Sequence, residues 1–167
     1  KIAESVIRTF VLESTVYRVS DLMDDQKLDS MAAGKNFAQA MLESAEEYAV
    51  ECAIIKIYGS EVLDYVVDEM LQIHGGYGYS EEYLPARTYR DARINRIYEG
   101  TNEINRMLII NMILRRTMKG ELDLVGPAWE VQKELTGLPN MEIPEGKYGL
   151  ERRTIHDFKK LSLMVAG

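Results

Sequence analysis

Apolar residues recur every three to four positions through most of this chain, and this helical periodicity constrains the fold more than any other feature. A stripe of this kind opens the sequence, where one helical face carries Ile2, Ala3, Val6, Ile7, Phe10 and Val11. No stretch alternates between apolar and polar residues for longer than four or five positions, as a half-buried strand would. The sequence therefore predicts an all-α fold.

Interruptions in the periodicity predict where the first helices begin and end. The polar segment "DDQKLDS", residues 24–30, is predicted to end the first helix, and a second helix is predicted over about residues 30–58. Gly59 is expected to end that second helix. Ser60 followed by Glu61 is typical of an N-cap with an acid in the first turn, so a third helix is predicted to begin there.

Glycine and threonine mark the later boundaries. The third helix is predicted to stop at Gly75 and Gly76, and a glycine-rich segment follows it. Thr101 is a good N-cap for the segment "NEINRMLIINMILRRTM". That helix is predicted to close at Lys119 and Gly120, with cations in its last turn.

The chain changes character after Gly120. Residues 120–150 hold three of its four prolines and are predicted to form a short helix and a linker, and a further helix is predicted over residues 151–165. The basic side chains of that helix could lie on a membrane surface, but we favour a solvated face because Glu151 and Asp157 dilute the charge. These basic residues are Arg152, Arg153, Lys159 and Lys160.

Length and charge bound the function. A chain of 167 residues suffices for one domain, or for one domain and an appendage. The net charge of −7 argues against a nucleic-acid partner, because phosphate binding requires clustered Lys and Arg.

The single cysteine, Cys52, suits a reducing compartment, either the cytoplasm or, in a eukaryote, the mitochondrial matrix. There is no signal peptide, and both ends fall inside helical patterns, so we expect a fragment of a longer protein.

The segment "QIHGGYGYSEEYLPARTYRDARINRIYEGTNEINR", residues 72–106, contains four glycines in an otherwise helical sequence. Gly75, Gly76 and Gly78 allow a tight turn and a close approach of the backbone to a ligand. The structural alternative is a helix C-cap followed by a loop. A P-loop is excluded because no Lys-Ser or Lys-Thr follows at the required place, and a dinucleotide fingerprint is excluded because no strand precedes the glycines.

Glu99 lies at the far edge of this segment. It precedes Gly100 and the Thr101 cap, so it stands beside a helix N-terminus, a position that favours anions. Judged on these residues alone, a capping or ion-paired carboxylate is the more usual role, and a catalytic base is the alternative.

Two blocks of this segment resemble the acyl-CoA dehydrogenase family. "QIHGGYGY", with Glu82, Arg87 and Asp91 at their intervals, resembles the family signature, and "IYEGTNEINR" resembles the segment with the catalytic base. The resemblance implies a four-helix-bundle-like C-terminal domain over residues 1–118 that lacks its first helix. Residues 119–167 resemble a linker and the start of the helical extension of very-long-chain members.

The resemblance also implies roles for individual residues. Glu99 would remove the α-proton of a fatty acyl-CoA while FAD accepts a hydride from the β-carbon. Its neighbours Tyr98 and Gly100 would bind the substrate. The implied contacts to FAD are Thr101, Asn102 and Glu103 in the same subunit and Gln72, Gly75 and Gly76 towards a neighbouring subunit. No metal site is predicted, because His74 and His156 are too few and too far apart in sequence.

The partners implied are an electron-transfer flavoprotein and further copies of the same chain, as a dimer or tetramer. The alternatives are an acyl-CoA oxidase, in which oxygen reoxidises the flavin, and a non-catalytic helical interaction module. Glu99 and the "QxxGG" block argue against the module, since both would be dispensable there. Residues 1–167 alone are expected to be inactive, because contacts from absent segments are needed to hold FAD.

Overall fold

A computed structural model describes residues 1–137 and 144–166, and all regular elements in these ranges are helices. The all-α prediction is therefore confirmed. The chain forms two compact units, Lys1–Met112 and Ile113–Gly167. Part of the linker predicted within residues 120–150, namely residues 138–143, lies outside the described residues.

The first unit is organised around two long helices. Here α1 packs against α2 and α3, and α3 packs against α5. The last helix of this unit, α6, continues past its boundary, and a 3₁₀ turn, Ile94–Arg96, follows α5. The helices are α1 (Ile2–Ala32), α2 (Phe37–Glu47), α3 (Ala49–His74), α4 (Gly76–Tyr79), α5 (Leu84–Arg93) and α6 (Asn102–Met118).

The second unit contains α7 (Val125–Leu135) and α8 (Gly149–Ala166), which pack against each other. The Lys160 ammonium pairs with the Glu134 carboxylate between these two helices at 2.5 Å. Both the short helix and the final helix predicted beyond Gly120 are therefore confirmed.

The first helix is longer than predicted. Because α1 continues through residues 24–30 to Ala32, the predicted end in this segment is wrong. The segment contains no glycine or proline, and its Lys27 pairs with Asp24 on the same helix face. Its last residue, Ser30, donates a hydrogen bond to Glu43 of α2 at 2.8 Å, so tertiary contacts also favour the helical conformation.

The predicted second helix is interrupted. A capping box starts α2, because the Asn36 side chain accepts from the Gln39 N–H at 2.9 Å and the Gln39 side chain accepts from the Asn36 N–H at 3.3 Å. The chain bends again at Tyr48, where α3 begins. A single helix over residues 30–58 is therefore wrong.

The predicted boundary at Gly59 and Ser60 is also wrong, because α3 runs through both residues. A Cβ at Gly59 would lie 3.4 Å from Leu12 Cδ1, so this glycine allows α1 to pack closely on α3. The Ser60 hydroxyl donates to the Ile57 carbonyl at 2.9 Å inside the helix instead of capping a new one.

Three predicted boundaries are confirmed. The C-terminus of α3 falls at His74, and Gly75 follows it with φ of 58°. Thr101 caps α6, because its hydroxyl accepts from the Ile104 N–H at 3.1 Å. The C-terminus of α6 falls at Met118, two residues before Gly120 with φ of 75°.

Much of the apolar surface of α1 is exposed. The stripe predicted from the sequence is present, but Ile2 and Phe10 are each 67% exposed. Other described residues of the chain therefore leave most of this stripe uncovered. Within the described part of the chain, none of the helices is long and apolar enough to span a membrane.

Candidate active site

Two of the glycines at the end of α3 are required by the fold. Gly75 has φ of 58° and ψ of −138°, a conformation that residues with a side chain rarely adopt. Gly78 is buried, and its N–H donates to the Gly75 carbonyl at 2.9 Å. A Cβ at Gly78 would lie 2.3 Å from the Leu71 carbonyl oxygen, so α4 can fold back onto α3 only with glycine there.

Gly76 differs from these two glycines, because neither its backbone conformation nor its packing against the described residues requires glycine at this position. Its φ is not positive, and a Cβ at this position would meet no heavy atom within 4 Å. Gln72, one helical turn earlier, is exposed, and its side chain makes no hydrogen bond to the described residues. An exposed amide and an unobstructed glycine therefore stand together at the end of α3, with room for a ligand.

Glu99 has the least usual backbone conformation in the site. Its φ is 55°, and it is the only residue other than glycine with a positive φ in the described part of the chain. This conformation costs an L-residue about 1–2 kcal/mol, and such outliers concentrate at functional sites. The Glu99 side chain is exposed, and neither a helix-capping hydrogen bond nor an ion pair to the described residues involves it. The two structural roles considered for Glu99 are therefore not found.

The loop after Glu99 is fixed by hydrogen bonds to its carbonyl groups. The Gly100 carbonyl accepts from Asn105 Nδ2 at 2.9 Å and from Lys56 Nζ at 2.7 Å. Asn105 Nδ2 also lies 3.2 Å from the Thr101 carbonyl oxygen. The strained residue is thus followed by a peptide group that two helices hold in place.

Asn102 is an anchor in the core. It is 2% exposed, and its Nδ2 donates to the Ser60 hydroxyl at 2.9 Å while its Oδ1 accepts from Lys56 Nζ at 2.9 Å. Its side chain is therefore engaged within the chain, so a contact to FAD would have to use its backbone. The role predicted for Asn102 in cofactor binding stays a prediction.

Glu103 lies in the first turn of α6 and is exposed. Its pKa is lowered, chiefly by a hydrogen bond from its own backbone N–H, with smaller contributions from the Thr101 hydroxyl and from Arg106 and Arg96; partial desolvation opposes them. The helix N-terminus is thus already next to a carboxylate. It is better suited to a neutral hydrogen-bonding group of a ligand than to a phosphate.

Tyr98 precedes the base candidate and presents its ring to solvent, with 47% of the residue exposed. Its hydroxyl donates to Asn95 Oδ1 at 2.8 Å, and this bond fixes the orientation of the ring. Gly100, on the other side of Glu99, has φ of 83°, and a Cβ there would lie 3.2 Å from Asn105 Nδ2. The loop therefore exposes an aromatic ring, a carboxylate and bare backbone in succession.

One face of α3 holds this whole segment. Besides the contacts of Lys56, Arg96 pairs with Asp64 at 2.9 Å and Arg106 pairs with Glu61. Each exposed pair contributes little alone, about 0–1 kcal/mol. Together with the buried Asn102 bonds, these pairs fix the position of residues 94–106 along α3.

The anchoring roles of Lys56, Ser60 and Asn105 were not predicted from the sequence. A signal for two of them was present, because Lys56, Ser60 and Asp64 recur every four positions within the apolar segment of α3. The predicted helix boundary at Gly59 and Ser60 hid this polar stripe by dividing it between two helices.

The two sets of predicted FAD contacts lie beside different parts of α3. The Glu99–Glu103 segment is attached at Lys56, and Gln72 lies sixteen residues further along the same continuous helix. At 1.5 Å per residue, these points are roughly 24 Å apart. One chain therefore presents two separate surfaces.

Comparison with known proteins defines the class. The family model described as "Acyl-CoA dehydrogenase, C-terminal domain" matches residues 1–114. The chain belongs to this family.

Individual relatives extend this match over the whole chain. A probable acyl-CoA dehydrogenase of Bacillus subtilis (strain 168) is 43% identical over 167 residues, all of this chain and 28% of that protein. The human mitochondrial very long-chain specific acyl-CoA dehydrogenase is 35% identical over 151 residues, 90% of this chain and 18% of that protein. The crystal structure of an acyl-CoA dehydrogenase complexed with FAD from Bacillus anthracis is 44% identical and superimposes with a TM-score of 0.87. That match covers 96% of this chain and 27% of the other. The chain therefore spans little more than a quarter of the two bacterial relatives and less than a fifth of the human enzyme.

Proposed function

We propose that this chain is the C-terminal helical part of an FAD-dependent acyl-CoA dehydrogenase of fatty acid β-oxidation, with Glu99 as the catalytic base. One observation supports this role most strongly: Glu99 is an exposed, unpaired carboxylate in the described structure, and it is held at positive φ by an anchored loop. In this proposal residues 1–118 form the helical domain, and residues 119–167 form a linker and the start of an extension.

The reaction removes two hydrogens from neighbouring carbons of the acyl chain. The Glu99 carboxylate takes the α-proton and becomes a carboxylic acid, while the two electrons of the α C–H bond form the α–β double bond. FAD, when bound, accepts the hydride that leaves the β-carbon. The contribution of this chain is to hold the base at the α-carbon and to orient the substrate through Tyr98 and Gly100.

The residues predicted to contact FAD fit such a ligand. Gln72 offers an exposed amide. Gly76 borders open space, and because it has no side chain a ligand can approach its backbone closely. At the N-terminus of α6 the N–H groups of Glu103 and Ile104 are bonded within the turn, which leaves the Asn102 N–H and the side-chain oxygens of Thr101 and Glu103 for FAD. Asn102 bonds to Lys56 and Ser60, which lie roughly 24 and 18 Å before Gln72 along α3. We therefore assign the two sets to different cofactors, and the α6 set to the FAD of the same subunit, as the family resemblance implies. The Gln72–Gly76 set is assigned to the FAD of a neighbouring subunit.

The proposed substrates are long or very long fatty acyl-CoA thioesters. The match to the human very long-chain enzyme covers 151 residues, more than the 118 of the proposed helical domain, and so includes part of the extension. The proposed partners are an electron-transfer flavoprotein as electron acceptor and further copies of the same chain in a dimer or tetramer.

Anaerobic reduction of the full-length enzyme that contains this chain tests the proposal. Mixing with a long-chain acyl-CoA should bleach the oxidised flavin absorbance, and electron-transfer flavoprotein should restore it much faster than oxygen does. Rapid restoration by oxygen would instead identify an acyl-CoA oxidase. Absence of bleaching in a flavin-loaded protein would contradict the proposal and favour a non-catalytic module.

A further inference from the structure

Lys56 reaches from the N-terminal third of α3 to the loop that carries Glu99. Its side chain is half-buried, and Nζ donates to the Gly100 carbonyl at 2.7 Å and to Asn102 Oδ1 at 2.9 Å. These two acceptors lie one and three residues after Glu99. A single ammonium group therefore joins the backbone next to the base candidate to the first residue of α6.

The bond from Lys56 fixes the orientation of the Asn102 amide. An ammonium can only donate, so the Asn102 atom that faces Lys56 must be its carbonyl oxygen. The Asn102 amide nitrogen then donates to the Ser60 hydroxyl at 2.9 Å, and Ser60 donates to the Ile57 carbonyl at 2.9 Å. Each acceptor of Lys56 has a second donor, because Asn105 Nδ2 lies 2.9 Å from the Gly100 carbonyl oxygen and Ser60 Oγ lies 3.3 Å from Asn102 Oδ1, but the Lys56 bond is the shorter one at both oxygens.

The Glu99 loop requires such a tether because its conformation is strained. Positive φ at Glu99 costs about 1–2 kcal/mol, so the surrounding contacts must hold it. Asn105, the second donor to the Gly100 carbonyl, lies on α6 itself and moves with the loop. Lys56 is the donor to this carbonyl that comes from another helix, and it fixes the loop to α3.

The partners of Lys56 are neutral oxygens. Among the described residues, no carboxylate lies in ion-pair distance of its ammonium, unlike the lysines at positions 1, 27, 35 and 160. A half-buried lysine without a counterion is costly unless its donors are used well. Its use here is the orientation of the Gly100 peptide group.

We propose that Lys56 is a positioning residue that holds the Glu99 carboxylate at the substrate α-carbon by anchoring the Gly100 carbonyl and Asn102 to α3. This inference rests on the proposed function of Glu99 as the base. Lys56 itself contacts neither substrate nor FAD in this account. Its loss displaces the base and leaves the binding surfaces at the end of α3 intact.

The test compares Lys56→Met with the wild type in the FAD-loaded full-length enzyme. Two rates are measured: anaerobic flavin reduction by a long-chain acyl-CoA, and exchange of α-protons with D₂O in an acyl-CoA with sulfur at the β-position, which cannot be oxidised. The second rate reports proton abstraction without electron transfer. Both should fall together by roughly 10- to 100-fold, since a displacement of about 1 Å can cost up to 100-fold.

Three controls separate positioning from a general loss of structure. FAD content and the KM for acyl-CoA should stay within about twofold of the wild type. Lys56→Arg, which keeps the charge and several donors, should recover at least part of both rates. Lys119→Met makes the same change at an exposed lysine outside the proposed site, whose ammonium lies 3.7 Å from the Glu121 carboxylate, and should leave both rates unchanged.

The outcomes distinguish this inference from the proposed function. Unchanged exchange and reduction in Lys56→Met, with strong loss in Glu99→Gln, would overturn the role of Lys56 alone. Unchanged exchange in Glu99→Gln would overturn the proposed function itself. Should Lys56→Met not fold, Lys56→Gln, which keeps one donor group, takes its place, and wild-type rates in that variant would equally contradict the proposal.

Discussion

Glu99→Gln in the full-length enzyme should lower turnover by about 10²–10⁴-fold, the contribution typical of a positioned proton acceptor. Glutamine has nearly the size and shape of glutamate but cannot take a proton. Because the Glu99 side chain makes no hydrogen bond or ion pair to the described residues, its replacement removes no structural contact seen here. FAD content and thermal stability should therefore match those of the wild type.

Steady-state kcat, with the flavin absorbance of the purified variant, measures this effect. Glu46→Gln provides the matched control, since Glu46 is an exposed residue of α2 away from the proposed site. Near wild-type turnover in Glu99→Gln would contradict the assignment and would move the base to a part of the enzyme outside this chain.

Gly78→Ala should destabilise the helical domain by about 1–3 kcal/mol, the usual cost of overpacking. The added Cβ would lie 2.3 Å from the Leu71 carbonyl oxygen and 3.0 Å from His74 Cβ. Both contacts are with the last turns of α3, and the closer one involves backbone, which cannot rotate away. The turn that carries Gly75 and Gly76 should therefore shift, with a lower melting temperature and weaker FAD binding.

Gly76→Ala is the matched variant for this prediction. Its Cβ meets no heavy atom within 4 Å, so the fold should tolerate it to within about 0.5 kcal/mol. FAD retention should nevertheless fall, because the methyl group occupies the space that we assign to the cofactor of a neighbouring subunit. A Gly76→Ala enzyme that melts and binds FAD like the wild type would contradict that assignment. A Gly78→Ala enzyme of wild-type stability would contradict the packing of α4 on α3.

Local chemistry made several elements of the fold predictable from the sequence. The end of α3 at Gly75, the Thr101 cap and the end of α6 before Gly120 each depend on one residue type with a strong conformational preference. The errors occurred where tertiary packing overrides such preferences. Gly59 lies inside α3 because α1 needs room for Leu12, and residues 24–30 are helical partly because Ser30 bonds to α2.

The candidate site was predictable only in part, for a related reason. Glu99 and the glycines were recognised through the segments "IYEGTNEINR" and "QIHGGYGY". Neither the positive φ of Glu99 nor the hydrogen bonds that hold its loop can be derived from these segments. That support comes from Lys56, 43 residues earlier, and from a continuous α3. Contacts between residues so distant in sequence require the packed structure.

The most direct test of the central claim is a crystal structure of the full-length enzyme with FAD and a non-oxidisable long-chain acyl-CoA bound. We expect a Glu99 carboxylate oxygen about 3–3.5 Å from the α-carbon, the separation of a reactive arrangement. Gly76 of a neighbouring subunit should contact the same FAD. A different carboxylate at the α-carbon, with Glu99 directed into solvent, would contradict the claim.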